Sequence, residues 1–152
     1  MSLTYPQAID EIFAMFKTAW DAQTTAIVGY IPAVLYPGIE STSVPASGKY
    51  FVKADVLPVK ERQKTLAVNV DIPTGRRYNN MGIVRFQIMC PLSDVRNAEK
   101  GVDLGILVRN AFRGKESPCG IVFHNAVVTP SYPSEVFSKY IVTIEYNFDE
   151  LA

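Results

Sequence analysis

The stretch from Tyr78 to Gly114 restricts the possible folds of this chain more than any other part of the sequence. Residues 82–90 alternate with a period of two, which predicts a strand with one face in a core. Residues Asn79–Gly82 predict a turn before this strand, and Pro91, which lacks a backbone N–H, predicts its end. The expected core face carries Val84, Phe86 and Ile88, and the other face carries Ile83, Arg85, Gln87 and Met89. Such a strand needs a sheet around it and a layer that covers the sheet.

A helix that ends at Gly114 is predicted after this strand. Leu104, Val108 and Phe112 recur every four residues and form an apolar stripe that suits a sheet surface. Val102, Ile106 and Ala111 are expected beside this stripe. Arg113 in the last turn and the glycine after it are typical of a helix end. The strand and the helix therefore form a unit in which the helix covers the sheet.

A second helix is predicted at the N-terminus, from Thr4 to Trp20 and onwards to about Thr25, with Gly29 beyond its end. Thr4 and Gln7 have the spacing of a capping box, in which each side chain binds the other residue's backbone. Its apolar face carries Ile9, Ile12, Phe13, Phe16, Ala19 and Trp20. We expect Trp20 in the core, in preference to a surface position where it would anchor a partner.

Four further segments between the N-terminal helix and the strand at 82–90 predict strands or loops. Ile31–Ile39 predicts a short extended piece, and Glu40–Gly48, rich in Ser, Thr, Pro and Gly, predicts a loop. Tyr50–Leu57 alternates and predicts a strand that Pro58 ends. Residues 58–81 predict a long hairpin-like excursion, with a weakly alternating segment at 66–72 and a turn at 73–75.

The C-terminal third predicts a β-hairpin that forms one edge of the sheet. Its strands are expected at Ile121–Val128 and Phe137–Phe148, joined by a turn over 129–134. In the second strand Val142, Ile144, Tyr146 and Phe148 share one face. The 152 residues thus predict a single α+β domain, with a mainly antiparallel sheet, two helices on one face and the hairpin-like excursion.

Charge is balanced over the chain but uneven along it. Lys and Arg together number 15, as do Asp and Glu, so the zero net charge disfavours a general attraction to nucleic acid or membranes. Between Lys49 and Arg85, however, eight residues are basic and three are acidic, which gives this segment a net charge of +5 and the remainder a net charge of −5. A chain with this dipolar distribution is suited to docking against copies of itself. The basic residues themselves are either a solvated surface or a site for an acidic partner or a nucleic-acid channel.

Catalytic motifs are missing from the sequence. It has no phosphate-binding glycine loop, no GxSxG and no CxxC, and its single histidine excludes a site built from several histidines. His124 is expected on a strand face with Val122, Ala126 and Val128, as a packed or hydrogen-bonded residue. Cys90 and Cys119 are expected to be two buried thiols, and a nucleophile pair of Cys119 with His124 is disfavoured. We therefore predict no enzyme, no catalytic residues, no cofactor and no metal.

The order of these pieces resembles that of bacteriophage tail terminator proteins, a group that includes minor tail protein U and small phage domains of unknown function. The resemblance rests on the N-terminal helix and on a series of segments in the same order: Leu35–Gly38, Tyr50–Pro58, Arg77–Tyr78, Gly82–Val84, Phe86–Pro91, Val108–Gly114 and Tyr140–Phe148. It spans roughly residues 1–150, and it lies in the serial arrangement more than in any single motif.

The resemblance implies a structural virion protein. Members of the group form a ring, commonly a hexamer, that caps the head-proximal end of the tail tube, ends its polymerisation and presents the head-joining surface. Partners would be copies of the chain, the tail tube protein and head–tail connector proteins, with DNA passing through the ring without sequence-specific binding. Assembly would take place in the host cytoplasm, and we expect no membrane to be involved, because the sequence shows neither the pattern of a secretory signal nor an apolar run that could span a bilayer.

Charge and loop placement suggest which residues contact partners. The acidic end of the last strand would meet the basic segment of a neighbouring copy, and the face Ile83/Arg85/Gln87/Met89 could supply one side of the contact. The predicted contact residues are Lys60, Arg62, Lys64, Arg76, Arg77, Arg85, Glu145 and Asp149. The alternatives are a head–tail connector or tail completion protein, and, more distantly, a small nucleic-acid-binding or ligand-binding α+β domain.

Overall fold

The computed structural model describes residues 4–37, 48–63, 77–131 and 137–151. In chain order its elements are α1 (Tyr5–Val28), β1 (Ala33–Leu35), β2 (Phe51–Gln63), β3 (Arg77–Pro91), α2 (Asn97–Phe112), β4 (Val122–Ser131) and β5 (Phe137–Leu151). The strands form one sheet in the order β1-β2-β3-β5-β4, in which β1 and β2 are parallel and the other neighbours antiparallel. The predicted α+β class with a mainly antiparallel sheet is confirmed. No helix in the described ranges is long and apolar enough to cross a membrane.

Helix α1 begins as the sequence predicts. The Thr4 hydroxyl accepts a hydrogen bond from the backbone of Gln7 at 3.4 Å, and the Thr4 N–H donates to the Gln7 side chain at 3.0 Å. Gly29 ends the helix with φ 86°, a conformation that glycine adopts without strain. The helix is three residues longer than predicted, because regular turns continue until that glycine.

An aromatic row holds both helices against the sheet. Phe86 of β3 stacks on Phe16 of α1 at 4.4 Å and on Phe112 of α2 at 5.8 Å between ring centroids. The row continues to Trp20 on one side (5.3 Å) and to Phe123 of β4 on the other (5.0 Å). Because Phe86 contacts both helices, they cover the same face of the sheet, and the predicted core position of Trp20 is confirmed.

Helix α2 lies close to the sheet through two glycines that the sequence analysis did not single out. A Cβ at Gly101 would lie 2.5 Å from the Tyr140 ring, and one at Gly105 would lie 2.8 Å from Val128. Their spacing of four residues places them on one helix face. The predicted stripe of Leu104, Val108 and Phe112 is buried beside them, whereas Val102, which was expected near it, is exposed. Val102 falls on the solvent side because, at 3.6 residues per turn, it is rotated by roughly 100° from Gly101, which faces the sheet.

Pro58 does not end β2, contrary to the prediction. It pairs with Gly82 of β3, the register then shifts between Pro58 and Lys60, and the strand continues to Gln63. In the described part of the chain β1 pairs only with Phe51–Lys53, so β2 is an edge strand at Pro58. A residue without an N–H is tolerated at such an edge and at a bulge.

The predicted turn at Asn79–Gly82 is also wrong, because these residues lie inside β3 and pair with β2 and β5. The side chains of both asparagines bind β5: Asn79 Nδ2 donates to Asp149 at 3.0 Å, and Asn80 Nδ2 donates to Glu150 at 3.1 Å. The hairpin-like excursion is present as the antiparallel extension of β2 and β3. The predictions at 40–47, 66–72, 73–75 and 132–134 lie outside the described residues.

A bulge in β4 overturns the predicted neighbours of His124. Asn125 adopts φ 47°, and the pairing with β5 shifts between His124 and Val127. The inserted residue turns Ala126 and Val128 towards the core and leaves His124 on the opposite face with Val122. Strand β4 also runs to Ser131, into the predicted turn. The predicted core face of β5, which carries Val142, Ile144, Tyr146 and Phe148, is buried.

A polar cluster joins the start of β2 to the turn before α2. The Tyr50 hydroxyl donates to Asp94 Oδ2 at 2.7 Å, the Arg96 N–H donates to Asp94 Oδ1 at 2.9 Å, and Lys100 Nζ lies 2.9 Å from Oδ2. These contacts, with the Tyr50 hydrogen bond as the largest cause, lower the pKa of Asp94 to about 2. The ionised carboxylate therefore ties three segments together.

Asp94 should make stability fall in acid. Because its pKa is lowered on folding, its contribution is present above its ordinary value of 3.8 and is lost as the pH falls through about 2. We expect Asp94→Asn to be less stable than the wild type at pH 7, and the difference to narrow between pH 4 and pH 2. Urea unfolding midpoints of both proteins across this range measure the effect. A difference that stays constant down to pH 2 would contradict this role.

Candidate interaction surface

The sheet face that points away from both helices, here called the outer face, is built by alternate residues of four strands. One row across β2, β3, β5 and β4 consists of Leu57, Ile83, Glu145 and His124. The next row consists of Asp55, Arg85, Thr143 and Val127. Leu57 is 42% exposed and Val127 51% exposed. No helix or strand of the described residues covers these rows, so Leu57 on β2 and Val127 on the edge strand β4 expose apolar side chains to solvent on both sides of the central strands.

Polar contacts on the outer face hold its charged side chains in place. Arg85 Nη2 lies 3.1 Å from Asp55 Oδ2, directly across the β2–β3 pair, and both side chains are more than a third exposed. Arg85 Nε is buried and has no hydrogen-bond partner in the part of the chain that is described. Asn125 Nδ2 donates to Glu145 Oε2 at 2.9 Å, so the bulge residue binds the neighbouring strand. An exposed ion pair of this kind contributes little to stability and is suited to orienting a partner.

One end of the outer face is already closed. Phe51 and Met89 are buried there, and the Phe51 ring meets the Phe137 ring edge-on at 5.2 Å. The predicted contact face Ile83/Arg85/Gln87/Met89 is therefore too long, because Met89 has no surface to offer. A pocket of about 250 Å³ lies at the other end, lined by Val59, Met81, Gly82, Ile83, His124, Glu145 and Tyr146. The accessible part of the face runs from Gln87 towards this pocket.

The predicted contact residues that the structure describes are spread over the three strands β2, β3 and β5. Lys60 and Arg62 lie in β2 opposite Met81 and Asn79, and Arg77 begins β3 opposite Leu151 of β5. Lys64 and Arg76 lie outside the described residues. Arg85 and Glu145 lie on the outer face, and Asp149 accepts a hydrogen bond from Asn79.

The acidic end of β5 and the segment 77–85 of β3 are paired strands of the same chain. Their backbone groups are thus already engaged with each other. A contact between these segments of two copies remains a prediction.

Nucleophilic chemistry finds no support in the positions of the two cysteines and the histidine. Cys90 is buried, which raises its pKa to about 12. Cys119 is exposed, contrary to the expectation of two buried thiols, because it lies in the turn before β4; its N–H donates to Glu11 at 2.9 Å, and that carboxylate raises the thiol pKa. His124 instead contacts Asn147 Oδ1 at 2.6 Å. Cys119 and His124 thus contact different partners. Among the described residues, no group of three or more His, Cys, Asp or Glu side chains is placed to hold a metal ion.

Sequence reasoning missed Leu57 and Val127 as surface residues of this face. The alternation of β2 does assign Leu57 to the side away from the core, and this signal was readable. Val127 depends on the bulge at Asn125, which local sequence does not reveal.

Comparisons with known proteins define the fold alone. No family model matches the sequence, and no curated protein matches it. Thirteen chains of solved structure match. One of them, whose name states no function, superposes with a TM-score of 0.57 over 91% of this chain and 93% of its own, at 16% identity. The arrangement of helices and sheet therefore recurs in another protein of similar extent.

Proposed function

We propose that this protein is a structural subunit of a phage tail, which assembles with copies of itself into a ring that caps the tail tube. The observation that carries the proposal is the outer face, where Leu57 and Val127 remain exposed beside the Arg85–Asp55 ion pair. Apolar side chains around a few oriented charges are typical of subunit contacts. The order of elements, which resembles that of tail terminators, supports the phage assignment.

Self-association of the head-to-tail kind suits this chain. A ring needs two different patches, one on each side of the subunit, so that every copy meets the next in the same way. Residues 49–85 carry a net charge of +5 and the remainder of the chain −5, so opposite charges are available for such a contact although the whole chain is neutral. The outer face is one patch, and its partner is a second copy of the chain. The tail tube protein and the connector proteins would then bind the rims of the ring, and DNA would pass through its hole.

Val127→Glu is expected to shift the assembly towards monomers. A glutamate at this position would lose the apolar contact and be buried in the interface without a partner, so we expect the dissociation constant to rise by roughly 30-fold or more. Mass by light scattering over a concentration series, with negative-stain images, measures the shift. Val95→Glu is the matched control, because Val95 is 96% exposed in the turn before α2 and away from the outer face.

Two results would contradict the proposal. One is a wild-type protein that stays monomeric at every concentration and leaves tube polymerisation unchanged. The other is an equal shift in both variants, which would mean that added charge, and not the outer face, disrupts the assembly.

A further inference from the structure

A second cavity, of about 430 Å³, lies where β2, β3 and β5 extend beyond the start of α1. It is lined by Tyr5, Pro58, Val59, Glu61, Asn80, Met81, Tyr146 and Glu150. The bulge after Pro58 helps to form it, because the register shift there interrupts the pairing of β2 with β3. This cavity has room for one large side chain, and its lining combines two carboxylates, two phenols and an apolar wall.

The Tyr146 hydroxyl is the unusual group of this cavity. Tyr146 is 2% exposed, and its hydroxyl oxygen is buried near Tyr5, but no described residue, Tyr5 included, meets the distance and angles of a hydrogen bond to it. The ring lies directly over Gly82, where a Cβ would come within 2.6 Å of Tyr146 Cζ. Burial, and then the neighbouring Tyr5, raise the pKa of this phenol, so it stays protonated and keeps an oxygen that can accept a hydrogen bond. A buried hydroxyl that lacks a partner destabilises the protein until a ligand supplies one.

The charged side chains in the described lining of the cavity are both carboxylates, which favour a cation. Glu61 and Glu150 both line it, and Asn80 Nδ2 donates to Glu150 Oε2 at 3.1 Å, which holds that carboxylate in place. Two carboxylates and the phenol oxygen are all acceptors, so the matching ligand carries several donors and a positive charge. A guanidinium group has five N–H donors in one plane and also stacks on aromatic rings such as those of the two tyrosines.

The rim of the cavity is apolar, which indicates a protein as the source of that cation. Val59 is 64% exposed and Met81 44% exposed, and Pro58 lies beside them. Apolar surface around a charged recess suits a peptide chain with an arginine at its centre better than it suits a free polar amine. We propose that this cavity binds an arginine side chain presented by a partner protein. The inference is independent of ring formation, since any partner with a suitably exposed arginine would satisfy it.

An NMR titration of the full chain with two capped tripeptides, Leu-Arg-Leu and its citrulline counterpart, tests the proposal. Citrulline has the shape of arginine without its charge. We expect the arginine peptide to shift the backbone amides of Asn80, Met81 and Glu150, and the citrulline peptide to bind about tenfold more weakly or worse. Equal binding of both peptides, shifts confined to other parts of the chain, or no shifts at about 10 mM peptide would overturn it.

Variants separate recognition from folding. Tyr146→Phe should weaken arginine binding by roughly fivefold, which is the loss of one hydrogen bond. Its thermal midpoint should stay unchanged or rise, because the hydroxyl has no partner without a ligand. The double change Glu61→Gln, Glu150→Gln should weaken binding further, whereas Glu116→Gln, in the loop before β4, is the matched control. Wild-type affinity in Tyr146→Phe and in the double variant would overturn the assignment, as would an equal loss in the control.

Discussion

Replacing Phe86 with alanine is expected to lower the free energy of unfolding by about 3–5 kcal/mol, a large share of what a domain of this size has. Phe86 is fully buried and stacks on Phe16 of α1 and on Phe112 of α2, so it joins both helices to the central strand. Its removal leaves a cavity at the meeting point of three elements, where no single side chain can move in. Urea unfolding at neutral pH measures the loss, and the thermal midpoint should fall by about 10 °C.

Phe86→Leu is the control for this prediction. Leucine keeps most of the apolar volume but loses the stacking on both rings, so we expect it to cost clearly less than alanine. An alanine variant that loses less than about 1 kcal/mol would mean that the two helices repack over the gap. The aromatic row would then not be what attaches them to the sheet.

Gly82→Ala is expected to destabilise the protein by about 2 kcal/mol, although alanine is ordinarily harmless in place of a strand glycine. The added methyl would lie 2.6 Å from Tyr146 Cζ and 2.8 Å from the backbone oxygen of Leu57. The Tyr146 ring is buried and the Leu57 oxygen belongs to the neighbouring strand, so neither can move aside without disturbing the sheet. Thermal and urea unfolding measure the loss.

Gly48→Ala is the matched control, because among the described residues a methyl there would meet only the Ser93 hydroxyl at 4.0 Å. We expect this variant to be neutral or slightly more stable, since alanine restricts the unfolded chain. Comparable losses in both variants would show that the effect comes from the backbone preference of glycine. The contact with Tyr146 would then have no special role.

Local patterns of the sequence determined the elements whose causes are themselves local. The capping box of Thr4 and Gln7 and the ending at Gly29 need only neighbouring residues, and both are present in α1. In β3 and β5 one face carries large apolar residues at every second position, so these faces could be grouped before any partner strand was known. The α+β class followed from the order of these elements. The phage assignment rests on the same order, and it remains a proposal.

Contacts between distant segments determined the features that the sequence did not predict. Pro58 stays within β2 because that strand lies at an edge there, and Asn79–Gly82 is strand because β2 and β5 pair with it on both sides. Neither fact can be read from the residues themselves, since a proline and an Asn-Gly-rich segment ordinarily interrupt a strand. The same holds for the outer face and for the cavity of Tyr146. The first depends on the bulge at Asn125 and the second on a register shift in β2, because one inserted residue reverses the side to which every later residue of a strand points.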